Sequence, residues 1–304
     1  MSSQKHKLVV IDIDNTVFDW VRYYVTAISA LFSKVEEVTG ISQEVLASDA
    51  RQVFTRYSSI EYPFLIQEMP SVLAFYNNNI DKMLEQAVEP GRKAFLDAAG
   101  SCLVPYPDVR DAFARYKKEF SGLPLVALTD APRYVAMWKL NKLGILANFD
   151  AVYGLADPRI PTCDENNRVK VDPRILLKHL QQSNFGFGGK IRILPDEYEK
   201  PGTRGLKTVL MDYELEDDPA LRRQVLWAGD NLKKDVGLGA RLGVCTAWAQ
   251  YGVVTDQDLY RRLHTFSPEQ NIHKHASVDK GSAEAPRPDI VLQKFSDLLD
   301  HIVR

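Results

Sequence analysis

The chain has 304 residues, of which 45% are hydrophobic and 26% are charged, values typical of a folded protein that buries a sizeable core. They exclude small metal- or disulfide-stapled scaffolds and disordered, collagenous or coiled-coil chains. Lysine and arginine number 38 against 40 for aspartate and glutamate, so the net charge is −2. This balance lacks the basic excess of a surface that binds a nucleic acid duplex, and no nucleic acid partner is predicted.

The cysteines and the amino-terminal residues indicate the cellular compartment. Cys102, Cys163 and Cys245 lie far apart and form no CxxC pair, so neither a disulfide framework nor a thiolate zinc site is expected. Only four apolar residues stand between Lys7 and Asp12, too few for a signal sequence, and no apolar run approaches the length of a transmembrane helix. We therefore expect a cytoplasmic protein without a membrane partner.

The predicted strands are apolar runs that alternate with helical patterns. The first, residues 8–13, is interrupted only by Asp12 and is typical of a strand buried on both faces of a parallel sheet. Further runs of strand length are residues 125–128, 151–153, 225–228, 244–247 and 289–292. After the second run, Pro132 is predicted in the first turn of a helix and Gly144 just past its end. This alternation predicts a parallel α/β sheet, whose ligands bind beyond the carboxyl ends of the strands.

Residues 19–103 have a different pattern, with helical periodicity and almost no strand-like segment. One apolar stripe along the first helix is formed by Val21, Val25, Ile28, Phe32 and Val35. Gly40 is predicted to end that helix and Ser42 to cap the next, with later helices around Ser71 and over residues 79–88 and 91–99. We interpret this segment as an all-helical domain inserted between the first strand and the rest of the sheet, with residues 108–120 as the first core helix.

Two later segments have no regular pattern. Residues 157–199 are polar and are predicted to form a small hairpin-and-helix insertion, and residues 267–288 are predicted to be a loop.

Paired aspartates directly follow the first strand. Residues i and i+2 of an extended chain point the same way, so Asp12 and Asp14 can face one spot at the carboxyl edge of the sheet. Two carboxylates 4 Å apart repel by about 4 kcal/mol at an effective dielectric constant of about 20, so the pair needs a shared proton or a cation. An isolated pair of this kind is more often a solvated turn, but its position after a buried strand favours a functional site.

A second acidic loop follows the strand at residues 225–228. Asp230 comes at the end of this strand and Asp235 follows one turn later. Carboxylates from two neighbouring strand ends supply the oxygen ligands that a hard divalent cation such as Mg²⁺ prefers. Taken alone, the loop is equally well explained by an aspartate that caps a helix.

Two further polar residues are candidates for binding a phosphoryl group. The hydroxyl of Thr129, after the strand at 125–128, and the amides of the next helix would donate to a phosphoryl oxygen, although a lone threonine is more often a helix cap. Lys200 precedes Pro201, whose φ angle is fixed, and would place a cation in a loop. Alone this signal is weak, because most lysines face solvent.

In chain order, these segments resemble the four motifs of the haloacid dehalogenase (HAD) superfamily. The motifs are Asp12-Ile13-Asp14-Asn15-Thr16, Thr129, Lys200-Pro201 and Gly229-Asp230-Asn231-Leu232-Lys233-Lys234-Asp235. The helical segment resembles the cap of the phosphoglycolate-phosphatase-like branch. The resemblance implies a Rossmann-like parallel sheet flanked by helices, comprising residues 1–18 and 104–304, and an all-helical cap at 19–103.

The chain departs from the family pattern in the second and third motifs. Asp130 stands where many members have asparagine, and Gly202 stands where many have aspartate. The stretch between Thr129 and Lys200 is also long for the family. If the insertion at 157–199 displaces Lys200, then Lys207 or Lys190 becomes the candidate phosphoryl-binding lysine.

The resemblance also implies a mechanism. Asp12 would be the nucleophile that forms an aspartyl-phosphate, and Asp14 would act as general acid and then general base. Thr129 and Lys200 would hold the transferring phosphoryl group. Mg²⁺ would be bound by Asp12, the backbone carbonyl of Asp14 and Asp230, with Asp235 close by orienting a ligand or water. The cation is physically necessary because an anionic nucleophile otherwise repels a phosphate dianion.

Asp14 distinguishes among the reactions of the superfamily. A halide leaves a carbon atom without needing a proton, whereas an alkoxide leaving from phosphorus does need one, so an acid at this position predicts a phosphatase of small phosphorylated metabolites. A phosphosugar mutase with the same motifs is the alternative enzyme, and a noncatalytic binding protein with the same fold is the alternative from another class. Arg22, Tyr23, Tyr24 and Arg133 are candidate substrate contacts only because they lie close in sequence to the motifs.

Overall fold

The computed structural model describes residues 5–157, 184–253, 256–269 and 286–303, which are organised around a seven-stranded sheet. The strands are β1 (Leu8–Ile11), β2 (Leu125–Pro132), β3 (Ala151–Leu155), β4 (Lys190–Leu194), β5 (Val225–Gly229), β6 (Cys245–Ala249) and β7 (Ile290–Leu292). Their order across the sheet is β4-β3-β2-β1-β5-β6-β7, and all neighbours are parallel. Strands β2, β3 and β4 follow one another on one side of β1, and β5, β6 and β7 follow one another on the other side.

The order of the strands places the ligand-binding edge at β1 and β5. In an open parallel sheet, ligands bind outside the carboxyl ends of the strands where the direction of building reverses. Ile11, the last residue of β1, pairs with Ala127 of β2 and Ala228 of β5. The residues that follow Ile11, Ala127 and Ala228 in the chain therefore lie side by side.

Regular structure within residues 19–103, all of which are described, is entirely helical. The elements are α1 (Trp20–Thr39), α2 (Gln43–Tyr57), α3 (Leu65–Glu68), α4 (Pro70–Phe75), α5 (Ile80–Met83), a π-helical turn (Leu84–Val88) and α6 (Glu89–Cys102). Asp19 caps α1 by accepting a hydrogen bond from the backbone N–H of Arg22, and Gly40 ends it with a φ of 71°. This left-handed conformation is the reason that glycine suits the position. The predicted apolar stripe of α1 is buried.

The helices of the core cover both faces of the sheet. They are α7 (Val109–Glu119), α8 (Arg133–Lys142), α9 (Arg204–Asp212), α10 (Pro219–Arg222), a π-helical turn (Leu232–Val236), α11 (Gly237–Leu242), α12 (Gln257–Phe266) and α13 (Asp297–Asp300). Alternate residues of β1 belong to different hydrophobic clusters, with Val9 and Ile11 in one and Leu8 and Val10 in the other. The predicted α/β class, a Rossmann-like parallel sheet with an inserted helical cap, is confirmed.

Helix α12 of the core is hydrogen-bonded to helices α1 and α2 of the cap domain. Arg51 of α2 donates to the carbonyl oxygens of His264 and Thr265 at the end of α12, at 2.8 and 2.7 Å. Arg262 donates to the hydroxyl of Ser29 in α1 at 2.7 Å. The cap is thus bonded to the core at a point distant in sequence from the two segments that connect them.

Two predicted boundaries were wrong. Strand β2 continues beyond Leu128 to Pro132, and α8 begins at Arg133, so Pro132 precedes the helix instead of lying in its first turn. The register of pairing between β2 and β3 shifts between Leu128 and Pro132. Thr129 lies within this irregular part of the strand, and Pro132 still pairs with Leu155. Strand β4 lies inside the segment predicted as an insertion, and it was missed because this edge strand has exposed Lys190 and Arg192 in place of a continuous apolar run.

The sequence predicted an insertion at residues 157–199 and a loop at residues 267–288. Residues 158–183 of the first segment and residues 270–285 of the second lie outside the described residues. Among the described helices, none is both long enough and apolar enough to cross a membrane.

Candidate active site

Asp12 leaves β1 at the centre of the sheet edge and is buried, with 6% of its surface exposed. One carboxylate oxygen, Oδ1, accepts from the backbone N–H of Ile13 at 2.8 Å, and Oδ2 lies 2.8 Å from Nζ of Lys200. Burial raises the pKa of Asp12, Lys200 lowers it and Asp235 raises it again, to about 6 in the absence of a metal. The carboxylate is thus held in place by a backbone donor and a cation.

The turn after Asp12 orients the second aspartate. Asn15 has a φ of 55°, a left-handed conformation that asparagine tolerates, and its side chain accepts from the backbone N–H of Trp20 at 3.0 Å. Asp14 precedes this reversal, and its pKa is raised to about 7 by burial and by the charges of Glu61 and Asp12, against the lowering effect of Lys139. A carboxyl group with this pKa can hold a proton at neutral pH.

Lys200 lies between two carboxylates of the core. Its Nζ is 2.8 Å from Asp12 Oδ2 and 2.8 Å from Asp235 Oδ1, and its backbone N–H donates to Oδ1 of Asp130 at 2.9 Å. Although burial opposes the ammonium, the carboxylates outweigh it and raise the pKa of Lys200 well above its usual value. The Lys200 cation is therefore fixed beside the candidate nucleophile.

The two alternative lysines lie elsewhere. Lys207 pairs with Glu216 at 3.0 Å and Lys190 pairs with Asp212 at 2.7 Å, and about half of each lysine side chain is exposed. Neither contacts Asp12 or Asp235 in the described contacts, so the insertion before β4 does not displace Lys200 from the site.

The loop after β5 completes the acidic cluster. Carboxylate oxygens of Asp12, Asp230 and Asp235 all lie within 4.8 Å of one another, and all three residues are buried. Asp235 accepts from Lys200 with Oδ1 and from the backbone N–H of Asn231 with Oδ2. Gly229 permits this packing, because a Cβ atom there would lie 2.5 Å from Cγ of Asp235. The glycine that ends β5 thus leaves room for Asp235, and the aspartate that follows it belongs to the same cluster.

The charges of this cluster suit a divalent cation. Three carboxylates, Asp12, Asp230 and Asp235, face one ammonium, Lys200. The nearby Asp130 and Lys234 neutralise each other through an ion pair of 2.5 Å. Carboxylates therefore outnumber the ammonium in this buried cluster, and like charges this close repel one another. Oxygen ligands and this excess charge fit Mg²⁺.

Thr129 lies at the same edge of the sheet and is almost fully buried. Its Oγ1 accepts from the backbone N–H of Ala131 at 3.1 Å, so the hydroxyl proton is left to donate. The predicted contribution from the amides of the next helix is wrong in its detail, since α8 begins four residues later and the amide of Tyr134 donates to Asp157.

The residues chosen for their closeness in sequence have structural partners. Arg22 pairs with Asp19 and Asp256 at the surface, and Arg133 pairs with Asp157. Tyr23 and Tyr24 are buried among aromatic rings of both the cap and the core. These contacts supply no observation that makes the four residues substrate contacts.

Sequence reasoning missed two buried charged residues next to Asp14. Nζ of Lys139, in α8, lies 2.6 Å from Asp14 Oδ1 and 2.9 Å from Oε1 of Glu61 in the cap. Burial opposes the ammonium, but these carboxylates raise the pKa of Lys139. No signal in the sequence indicated the pair, because it joins positions 78 residues apart in different domains.

Comparison with known proteins shows the family of this chain. Residues 6–243 match the haloacid dehalogenase-like hydrolase family. The chain belongs to this family. It is therefore a HAD-superfamily hydrolase. The comparison with curated proteins found no match.

Solved structures similar to this chain include two dehalogenases and a predicted phosphatase. A 2-haloacid dehalogenase from Pseudomonas syringae has a TM-score of 0.55 and 14% identity, with 97% of each chain covered. An L-2-haloacid dehalogenase from Xanthobacter autotrophicus has a TM-score of 0.44 and 19% identity over 96% of each chain. A structure described as a predicted phosphoglycolate phosphatase from Haemophilus somnus has a TM-score of 0.47 and 15% identity over 98% of each chain. At these identities the first likeness shows the fold and does not choose between the activities.

Proposed function

We propose that this hydrolase is a Mg²⁺-dependent phosphatase that cleaves a small phosphorylated metabolite through an aspartyl-phosphate intermediate. The observation that carries the proposal is Asp14, a buried carboxyl group two residues after the nucleophile, with a pKa raised to about 7. A phosphatase needs such an acid because an alkoxide leaves poorly without a proton. A dehalogenase releases halide and has no use for it.

Residues of the cluster would hold the metal. Oxygens of Asp12, Asp230 and the backbone carbonyl of Asp14 are its expected ligands, with Asp235 in the same group. When bound, the ion supplies positive charge that offsets the repulsion between Asp12 and the phosphate dianion. Three buried carboxylates around one ammonium are the feature of this chain that supports such a site.

The first chemical step is phosphoryl transfer to Asp12. A carboxylate oxygen of Asp12 forms a bond to phosphorus while the bond from phosphorus to the leaving oxygen breaks, and Asp14 gives its proton to that oxygen. Lys200, 2.8 Å from Asp12, would neutralise charge on the phosphoryl oxygens, and the hydroxyl of Thr129 would donate to one of them.

The second step returns Asp12 to its free form. Asp14, now a carboxylate, takes a proton from a water molecule as the water oxygen bonds to phosphorus. The bond between phosphorus and Asp12 breaks, which releases inorganic phosphate and restores the carboxylate. The cap would contribute to the choice of substrate, because its Glu61 reaches Asp14 through Lys139.

A substrate panel tests this function. Purified protein would be assayed with and without Mg²⁺ against phosphomonoesters, including p-nitrophenyl phosphate, sugar phosphates, nucleoside monophosphates and phosphoglycolate, and against 2-haloacids. We expect Mg²⁺-dependent release of phosphate and no release of halide. Release of halide alone would overturn the proposal, and interconversion of sugar phosphates without net phosphate release would indicate the mutase. No turnover on any compound would favour a binding protein.

A further inference from the structure

Lys139 is a fully buried lysine outside the four motifs. It lies on α8, its relative exposure is 0%, and its Nζ contacts Asp14 Oδ1 at 2.6 Å and Glu61 Oε1 at 2.9 Å. The ring of Phe18 lies 5.8 Å from the same ammonium. A buried ammonium is stable only when it is paired, so the two carboxylates define the position of Lys139 and Lys139 defines theirs.

Glu61 belongs to the cap and has a second fixed contact. It lies between α2 and α3 and is buried, and its Oε1 also accepts from the indole N–H of Trp20 at 2.8 Å. The bonds therefore run from Trp20 through Glu61 and Lys139 to Asp14. Glu61 and Lys139 are each held by a partner on either side.

The bond from Lys139 engages a single oxygen of Asp14. Since Oδ1 accepts from the ammonium at 2.6 Å, rotation of the carboxyl group is restricted, and Oδ2 is the oxygen that can carry the proton for the leaving group. A proton donor acts only when its oxygen lies within hydrogen-bond distance of the accepting atom. The contact that fixes the angle of this carboxyl group therefore bears on the rate of the step.

We propose that Lys139 is a positioning residue for Asp14, and that Glu61 makes this positioning depend on the cap. With the cap seated on the core, Glu61 holds Lys139 and Lys139 aims the Asp14 carboxyl group at the leaving oxygen. Without the Glu61 carboxylate, Lys139 would keep only one of its two partners and would hold Asp14 less firmly. Lys139 keeps its proton throughout, and the proton given to the leaving oxygen comes from Asp14. This inference rests on the proposed phosphatase function.

The test compares two esters that differ in how much they need an acid. Phenyl phosphate releases a basic phenolate, whereas p-nitrophenyl phosphate releases a stabilised anion that leaves without full protonation. We expect Lys139→Met to lower kcat/KM for phenyl phosphate at least tenfold more than for p-nitrophenyl phosphate. Lys142→Met, an exposed lysine on the same helix, is the matched control and should leave both values unchanged.

A purely structural Lys139 would behave differently. Loss of packing between cap and core would lower kcat/KM for both esters by the same factor, and this result, or no loss, would overturn the inference. If Lys139→Met does not fold by circular dichroism, Glu61→Gln decides, because it keeps the shape of the side chain and removes its charge. A loss that is greater for phenyl phosphate supports the inference, and equal factors or unchanged values overturn it.

Failure of the proposed function would be recognised separately. A wild-type protein that cleaves neither ester in the presence of Mg²⁺ overturns the phosphatase proposal and this inference with it. A wild-type protein that cleaves both, beside variants that keep its selectivity for the leaving group, overturns the role of Lys139 alone.

Discussion

The two aspartates of the first motif are each held by a buried lysine, but the two lysines belong to different regions of the molecule. Lys200 lies between Asp12 and Asp235, and all three residues come from the α/β core. Lys139 lies between Asp14 of the core and Glu61 of the cap. The ion pairs of Lys200 therefore lie within the core, whereas those of Lys139 join the core to the cap.

This difference separates two kinds of contribution to the reaction. In the proposed reaction, side chains on the Asp12 side would face the phosphoryl group, which all phosphomonoester substrates share. Side chains on the Asp14 side would face the leaving group, which differs from one substrate to the next. Variants on the first side should lower all activities alike, and variants on the second should change the selectivity for the leaving group.

The largest effect is expected from Asp12→Asn. The amide cannot form the aspartyl-phosphate, so kcat should fall by about 10⁴-fold or more on every substrate. The fold should persist, because Oδ1 still accepts from the backbone N–H of Ile13. Phosphate release and circular dichroism measure the two expectations, and a fully active variant would refute the role of Asp12.

Lys200→Met is expected to have the next largest effect. Removing a cation that contacts Asp12 should lower kcat by about 10²–10³-fold, and by the same factor for phenyl phosphate and p-nitrophenyl phosphate. The matched control is Lys207→Met, whose ammonium pairs with Glu216 at the surface. If kcat fell by different factors for the two esters, Lys200 and Lys139 would not differ in their dependence on the leaving group, and the comparison would be contradicted.

Gly229→Ala tests the packing behind the metal ligands. The new Cβ atom would lie 2.5 Å from Cγ of Asp235, so this side chain and the Lys200 ammonium bonded to it must shift. We expect about 1–3 kcal/mol lower unfolding free energy and about tenfold weaker activation by Mg²⁺. Gly100→Ala is the control, because a Cβ atom there meets no heavy atom within 4 Å. Equal behaviour of both variants would contradict the packing argument.

The smallest effect is a dependence of thermal stability on pH and Mg²⁺. The pKa of Asp12 is raised from 3.8 to about 6, so its contribution to stability is present below pH 3.8 and is lost as the pH rises through about 6. Mg²⁺ requires the deprotonated carboxylate and should therefore stabilise the protein more at about pH 8 than at about pH 5.

Melting temperatures with and without Mg²⁺ measure this difference, and it should shrink in Asp12→Asn, which has no proton to release at that position. A Mg²⁺-induced shift that is independent of pH would contradict the assignment of Asp12 to the metal site.

The sequence predicted the sheet and its motif residues because both depend on short-range patterns. A short apolar run rich in β-branched residues predicts a buried strand of a parallel sheet, and the aspartates that follow it are then expected at the carboxyl end of that strand. This holds for Asp12 and Asp14 after β1 and for Asp230 after β5. Strand β4 was missed because its exposed Lys190 and Arg192 break the apolar pattern. The contact between Lys139 and Glu61 has no local pattern at all, since a lysine on an amphipathic helix ordinarily faces solvent and its partner lies in another domain.

The most direct test of the account is a crystal structure of the protein with Mg²⁺ and orthovanadate, a mimic of the transferring phosphoryl group. We expect the ion about 2.1 Å from carboxylate oxygens of Asp12 and Asp230, with vanadate oxygens bonded to Lys200 and Thr129 and another facing Asp14. An ion or a vanadate bound elsewhere, with Asp12, Asp230 and Lys200 not in contact with either, would contradict the claim that these side chains form a phosphoryl-transfer site.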